Sequence, residues 1–145
     1  MVLMQSVPLL SVSPAESDHT ALRELLTDTQ WSLSEARSLG SALAILRQHQ
    51  IPVIVCEREL GPKTWKDLLE RISFLHNPPS LVVASRQASD ELWVEALSSG
   101  AYDLLAKPFN TRELQRTLFQ AWQHWQVRFE PESRLIEAHA SAATA

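Results

Sequence analysis

Side chains that could do chemistry stand where short apolar runs of this sequence end. Four runs are followed in this way: Val7–Val12 by Ser13, Pro52–Cys56 by Glu57, Leu81–Ala84 by Ser85, and Leu104–Ala106 by Lys107. Pro108 fixes its own φ and biases Lys107 toward an extended conformation, which directs the ammonium out of a sheet edge. Open α/β sheets hold their ligands at the carboxyl ends of their strands. These residues are therefore candidates for a binding site. The alternative for Lys107 is an exposed lysine in an ordinary turn.

The apolar runs themselves are predicted to be strands. Pro52–Cys56 and Leu81–Ala84 are continuously apolar, which is typical of strands covered on both faces. Trp31–Ser34 alternates between apolar and polar residues, as a half-exposed strand does. With Val7–Val12 and Leu104–Ala106, the sequence predicts five strands.

Apolar residues at helical spacing lie between these strands. The first helix is predicted to have Ser13 as its cap, Pro14 as its first residue and Glu16 three residues after the cap. Ser41 precedes the second helix, and Gly100 ends the fourth. The five apolar stripes are Leu22, Leu25 and Leu26; Leu43 and Leu46; Trp65, Leu68, Leu69, Ile72 and Leu75; Leu92, Trp93, Ala96 and Leu97; and Leu114, Leu118, Trp122 and Trp125.

Alternation of strands and helices with short connections predicts the fold class. Such a chain forms a parallel five-stranded sheet with helices on both faces, which is a three-layer α/β/α sandwich. One domain is predicted over residues 1–129. From Glu130 the chain is polar and then alanine-rich with no core pattern, so 130–145 is predicted to be a flexible C-terminal tail.

Composition argues against several classes of protein. The 145 residues are 45% hydrophobic and 21% charged, which is ordinary for one globular domain. The net charge of −4 gives no support to nucleic-acid binding. No apolar run approaches the roughly 20 residues of a membrane span. Cys56 is the single cysteine, so an internal disulfide is excluded. We expect a cytoplasmic protein without membrane or nucleic-acid partners.

The remaining reactive side chains make weaker candidates. Cys56 lies inside a predicted buried strand, where a thiol is inert. The five histidines lack the spacing and the partners of a zinc site, and three glycines do not make a phosphate-binding loop. We therefore expect no enzyme, no catalytic residue and no metal site. Trp125, near the end of the last helix, is expected to extend past the core and face a partner.

The sequence resembles the receiver domain of bacterial two-component response regulators from residue 7 to about residue 126. Its most specific element is Gly100-Ala101 followed by Lys107-Pro108-Phe109. The segment Glu57-Arg58-Glu59-Leu60-Gly61 fits the family's acceptor-x-x-Leu-Pro pattern, with glutamate in place of the aspartate and glycine in place of the proline. Ser85 fits the Ser/Thr that ends the fourth strand. The resemblance implies a flavodoxin-like topology, with Glu57 equivalent to the phospho-acceptor and Ser85 and Lys107 equivalent to the phosphate contacts.

The departures from the family bear on its chemistry. Two adjacent acids that hold Mg²⁺ in the family correspond here to Ser13 and Pro14, and the aromatic switch residue corresponds to Leu104. Mg²⁺ requires hard oxygen ligands, usually carboxylates, in octahedral array. Glu16 and Asp18 lie nearby but are explained as acidic residues interacting with the helix dipole. The resemblance therefore implies no cofactor, with Mg²⁺ binding weak or absent.

The function expected from these residues is signal transduction through protein–protein contacts. The chain is predicted to be a single-domain atypical receiver without aspartyl phosphorylation, in which Glu57 stands in for the acceptor and forms an ion pair with Lys107. One alternative is a phosphorylatable phosphorelay receiver with an improvised metal site. The other is a flavodoxin-like protein that binds a nucleotide or a flavin.

The partner implied by the resemblance is another signalling protein, either a histidine kinase or a downstream effector. A homodimer through the face of the fourth helix, fifth strand and fifth helix is also possible, since charges of opposite sign on one face suit a symmetric contact. The residues expected on that face are Asp90, Glu91, Glu95, Arg112, Arg116 and Trp125.

Overall fold

A parallel sheet forms the centre of the protein, whose computed structural model describes residues 6–129. Helices connect its successive strands, as the alternating pattern predicts. In chain order the elements are β1 (Val7–Val12), α1 (Glu16–Leu25), β2 (Trp31–Ala36), α2 (Leu39–Gln48), β3 (Val53–Glu57), β4 (Glu59–Leu60), β5 (Lys63–Thr64), α3 (Trp65–Ile72), β6 (Ser80–Ser85), α4 (Asp90–Ser99), β7 (Asp103–Ala106) and α5 (Thr111–Phe129).

The five strands of the central sheet lie in the order β2-β1-β3-β6-β7, and every neighbouring pair is parallel. Their carboxyl ends therefore share one edge. The chain winds first to one side of β1 and then to the other, so the sheet changes direction between β1 and β3. Ligand sites in open α/β sheets occur outside such a point. The predicted three-layer sandwich of flavodoxin-like topology is confirmed.

Two apolar clusters hold the helices on opposite faces of the sheet. Alternate residues of β3 point to opposite faces: Val53 and Val55 pack with α1 and α5, whereas Ile54 and Cys56 pack with α2, α3 and α4. This alternation follows from the two-residue period of a strand. Burial on both faces explains why β3 and β6 are continuously apolar in sequence.

The starts of the first two helices differ from the sequence prediction. α1 begins at Glu16, its cap position is Ala15 without a side-chain hydrogen bond, and Pro14 lies outside the helix. α2 begins at Leu39 and is capped by Ser38, so Ser41 is the third helical residue of a reciprocal capping box. The predicted cap at Ser13 is thus wrong. Its hydroxyl instead has partners in the site described below.

A short antiparallel ribbon of β4 and β5 lies between β3 and α3 and was not predicted. Its strands have two residues each, which is too short for a recognisable alternation. Gly61 at its turn has a φ of 88°, a conformation that glycine adopts readily.

Several residues assigned to apolar stripes lie elsewhere. Trp93 and Leu97 of α4 are exposed, and α3 ends at Ile72, before Leu75. Trp125 is buried and its indole nitrogen donates to the carbonyl of Asn77, so the prediction that it faces a partner is wrong. The predicted tail at 130–145 lies outside the described residues.

Candidate functional site

Lys107 is the centre of a charged cluster at the carboxyl edge of the sheet. β7 ends at Ala106, and the Lys107 amide donates to the Ser85 carbonyl at 3.0 Å, which fixes the start of the lysine side chain beside β6. The Lys107 ammonium donates to both carboxylate oxygens of Asp18, at 3.0 and 2.9 Å. It also contacts Oε2 of Glu57. One ammonium therefore lies between two carboxylates.

The two carboxylates are held differently. Asp18 accepts both bonds from Lys107 and a third from the Ser13 hydroxyl, at 2.6 Å from Oδ2. Oε2 of Glu57 is buried and touches the ammonium, but this contact lacks the alignment of a hydrogen bond. Asp18 is thus the hydrogen-bonded partner of the lysine, and Glu57 acts through charge.

All three charged side chains are largely buried. The exposed fraction of the side chain is 9% for Lys107, 12% for Asp18 and 18% for Glu57. Coulombic interactions are stronger in such a place than at the surface because water screens them less. Two negative groups and one positive group leave these three side chains with a formal surplus of one negative charge. The cavity at this edge of the sheet is also lined by Arg58, Glu59 and Arg86, which bring one more positive charge than negative.

The position of Asp18 corrects the sequence interpretation. The predicted ion pair of Glu57 with Lys107 is present, but Asp18, assigned only to the helix dipole, joins it. Glu16 has a different role and makes surface ion pairs with Arg23 and Arg37. The hydrogen bond from Arg23 lowers the pKa of the Glu16 carboxyl.

Ser13 contacts Asp18 directly, and His19 holds the backbone of Ser13 in place. The Ser13 hydroxyl accepts a hydrogen bond from the Ala15 amide at 3.1 Å while it donates to Asp18. Nε2 of His19 lies 2.9 Å from the Ser13 carbonyl, and its Nδ1 lies 2.9 Å from the Ser11 hydroxyl. A carbonyl only accepts, so Nε2 carries the proton. His19 is fully buried and ties the β1–α1 connection to the sheet, a role that no sequence motif signals.

Ser85 lies beside this cluster. The cavity at the sheet edge has a volume of about 400 Å³, and its lining includes Ser13, Asp18, Glu57, Ser85 and Lys107. The Ser85 hydroxyl accepts from the Gln87 amide at 3.0 Å and is not a helix start, because Ser89 caps α4.

The other two positions carried over from the family are placed as follows. Pro14 lines the same cavity as Ser13, at the rim of the site. Leu104 is buried in the cluster that packs against α2, α3 and α4, so it does not line the cavity.

Lys107 engages the carboxylates of both Asp18 and Glu57, which bears on whether the site could hold Mg²⁺. A magnesium ion takes several oxygen ligands in near-octahedral array. Here Asp18 and Glu57 both contact an ammonium, which occupies the space between them, and Ser13 and Pro14 bring no charge. Among residues 6–129 no group of three or more His, Cys, Asp or Glu side chains is arranged to hold a metal ion.

Comparison with known proteins supplies the family. The profile of the response regulator receiver domain matches residues 15–119. This chain belongs to that family. The receiver domain is 30% identical over 118 residues to the transcriptional regulatory protein ZraR of Salmonella typhimurium strain LT2, a match that covers 81% of this chain and 27% of ZraR. It therefore spans less than a third of the length of this relative.

Solved structures share the fold of this receiver domain. The signal receiver domain of an HD domain-containing protein from Pseudomonas fluorescens Pf-5 superposes with a TM-score of 0.79 at 24% identity, covering 90% of this chain and 96% of that one. The beryllofluoride-activated NtrC4 receiver domain, solved as a dimer, has a TM-score of 0.74 at 23% identity over 81% of this chain and 98% of that one.

Two further findings concern the rest of the receiver domain. Burial raises the pKa of the Cys56 thiol far above its usual range, with a smaller contribution from the charge of Glu57, as expected for an inert cysteine. Within residues 6–129, none of the helices combines the length and the hydropathy that a membrane span requires.

Proposed function

We propose that this receiver domain transmits signals through protein–protein contacts and does so without phosphorylation of a carboxylate. The observation that carries the proposal is that Asp18 and Glu57 already surround the Lys107 ammonium. In the family pattern this lysine meets the phosphoryl group. Here it has permanent negative partners, and Glu57 stands in for the acceptor.

Electrostatics at the site support this proposal. Phosphoryl transfer depends on positioning and on neutralisation of charge, much of which a metal ion supplies. With Ser13 and Pro14 at the positions of the acid pair, we propose that Mg²⁺ binds weakly or not at all. The ammonium that meets the phosphoryl group in the family pattern is already engaged by two carboxylates, Asp18 and Glu57.

Asp18 favours a second candidate function. Its carboxylate lies at the cavity together with Glu57, so a cation that displaced Lys107 would find two carboxylates. Such a site would serve a phosphorelay receiver that still accepts a phosphoryl group. The further alternative, a protein that binds a nucleotide or a flavin, is not favoured, because residues 15–119 match the receiver domain family.

Phosphoryl uptake distinguishes the two candidates. We expect that incubation with acetyl phosphate and Mg²⁺ leaves the intact mass unchanged, and that tryptophan fluorescence shows no saturable change as Mg²⁺ is added at low millimolar concentration. A receiver domain that retains the family's two adjacent acids is treated in parallel, to show that the acetyl phosphate is active as a phosphoryl donor. A phosphoryl adduct that maps to Asp18, Glu57 or Glu59 and disappears in Glu57→Gln or Asp18→Asn would establish the phosphorelay function instead.

The partner is proposed to be a signalling protein, a histidine kinase or a downstream effector, and α4 is the proposed contact. Trp93, Val94 and Leu97 of this helix are 48%, 58% and 37% exposed, and Asp90 and Glu91 lie at its start. Glu95 is engaged with Lys66 of α3 at 2.6 Å. Apolar side chains next to acids suit a protein partner or a second copy of this chain. The NtrC4 receiver domain was solved as a dimer.

A further inference from the structure

The two flanks of α5 have different neighbours. On one flank His124 stacks against Tyr102, next to β7, with ring centroids 5.3 Å apart. On the other flank Trp122 meets the edge of Trp31, at the start of β2, with centroids 6.1 Å apart. The second flank faces away from α4.

A groove runs along this second flank. It has a volume of about 560 Å³, and its lining includes Thr29, Gln30 and Trp31 opposite Arg112, Arg116 and Phe119. The predicted contact face, which grouped both arginines with the acids of α4, is therefore corrected. A second cavity of about 260 Å³ follows the same flank toward the end of the helix and is lined in part by Trp122, Trp125 and Gln126. The two cavities together are called the α5 groove.

The α5 groove presents groups without partners in the described chain. Arg112 and Arg116 make no ion pair with any residue of 6–129, and the part of the groove that they line contains no acidic side chain. Phe119 is 44% exposed beside them. The protein as a whole has a net charge of −4, so this groove is a basic site on an acidic molecule. Both arginines lie on the same side of Phe119, so a fitting occupant carries apolar side chains next to an acid.

The segment that follows α5 has this composition. Beyond Phe129 the sequence continues Glu130-Pro131-Glu132-Ser133-Arg134-Leu135-Ile136-Glu137, which places acids on both sides of a leucine–isoleucine pair. Proline disfavours continuation of a helix through this point. We propose that residues 130–145 turn back at Pro131 and bind in the α5 groove of the same molecule, with Leu135 and Ile136 on Phe119 and Glu137 on Arg116.

The length of the segment permits this path. A helix rises 1.5 Å per residue, which puts Phe119 about 15 Å from Phe129 along α5. Six extended residues span at most about 20 Å, so Leu135 can reach Phe119 and Glu137 can reach Arg116. Attachment to α5 also makes the contact intramolecular, which raises its effective concentration to about the millimolar range.

A spin label on the full chain tests the docking. Ser141→Cys is labelled with a nitroxide, and the buried, high-pKa Cys56 leaves the new thiol as the reactive one. We expect selective loss of amide signal for residues 111–119 and 29–31 and no loss for Tyr102 and His124. High salt should weaken the effect because Arg112 and Arg116 are exposed and their interactions are screened by ions.

Charge reversal separates this contact from a chance encounter. Arg112→Glu/Arg116→Glu should abolish the signal loss, and adding Glu137→Lys, at the position proposed to face Arg116, should restore part of it. The matched control Arg47→Glu/Arg71→Glu changes the same charge on α2 and α3 and should have no effect. Uniform signal along both flanks of α5 overturns the proposal. A mixture of spin-labelled molecules with molecules that carry no label gives a second test. If the amide signals are lost only through the label of another molecule, the proposal is overturned and the groove is assigned to a second copy.

Discussion

At the scale of single residues, the site depends on an unequal arrangement of two carboxylates around one ammonium. Asp18 accepts three hydrogen bonds, from the Ser13 hydroxyl and twice from Lys107. Glu57 contributes a negative charge whose buried Oε2 accepts none. Replacing either acid with its amide leaves one ammonium and one carboxylate, so the two changes should differ mainly through the lost hydrogen bonds.

We therefore predict a ranking of stability among three variants. Asp18→Asn should lower the free energy of unfolding by about 1–3 kcal/mol, since it loses charge-assisted hydrogen bonds. Glu57→Gln should change it by less than about 1 kcal/mol. Lys107→Met should be the most destabilising, by about 3 kcal/mol, because it leaves two buried carboxylates without a counter-charge. Urea unfolding followed by tryptophan fluorescence measures all three.

A surface variant and a double variant serve as controls for this ranking. Arg37→Met, whose partner Glu16 is about half exposed, should leave the free energy of unfolding nearly unchanged, because exposed ion pairs contribute little to stability. Glu57→Gln/Lys107→Met should be more stable than Lys107→Met alone, because the surplus charge is reduced. Additive effects in that cycle would mean that the two side chains do not interact.

Cys56 gives a second prediction at the residue scale. Burial in β3 raises the pKa of its thiol, so almost no thiolate is present at pH 8. In the native protein we expect reaction with DTNB only at the rate at which the structure opens. The reaction should become fast in urea above the unfolding midpoint. Fast stoichiometric labelling under native conditions would contradict the burial of this strand.

At the scale of elements, the glycines of α2 and α4 are placed in contrasting conformations. Gly100 ends α4 with a φ of 108°, and its amide donates to the carbonyls of Ala96 and Leu97. Gly40 lies near the start of α2, in helical conformation. A Cβ atom added at either position would meet no heavy atom within 4 Å, so backbone conformation alone should decide the outcome.

We predict opposite signs for alanine at these two positions. Gly100→Ala should destabilise the protein by about 1 kcal/mol, because L residues avoid the left-handed region. Gly40→Ala should stabilise it by about 0.5–1 kcal/mol, since alanine loses less entropy in a helix. Thermal or urea unfolding of the two variants measures both. Equal signs would show that φ does not decide the effect of alanine at these two positions.

At the scale of the whole molecule, three of the six large apolar side chains that are exposed within residues 6–129 lie on α4. Trp93, Val94 and Leu97 share the exposed side of this helix, whereas Phe74, 82% exposed, lies alone after α3. A cluster of exposed apolar side chains marks a binding surface more reliably than a single one does. This cluster is the basis of the proposal that α4 contacts the partner.

Association through α4 can be measured with a matched pair of variants. Trp93→Asp should weaken self-association or capture of a partner kinase or effector by about 30-fold, as expected for an interfacial tryptophan worth about 2 kcal/mol. Phe74→Asp changes an exposed aromatic outside the patch and should leave association unchanged. Sedimentation across a concentration series measures self-association, and pulldown measures capture. Equal effects of the two variants would contradict the assignment to α4.

The sequence by itself determined the alternation of sheet strands and helices along the chain and much of the site. Strand ends were marked by apolar runs, and parallel strands bring their carboxyl ends to one edge, so the contact of Glu57 with Lys107 was predictable. The contact of Asp18 with Lys107 was not predictable. The direction of the Asp18 side chain depends on α1 beginning at Glu16, after a connection that Ser13 and His19 hold in place.

The tertiary structure also decided which apolar side chains are covered. Helical spacing placed Trp93 and Trp125 on apolar stripes alike, yet Trp93 is exposed and Trp125 lies beneath the loop of Asn77. Periodicity shows which side of a helix can face a core. Whether a neighbouring element is close enough to cover a given residue depends on distances between elements that are far apart in the chain, and those are set only when the sheet and both helical layers pack together.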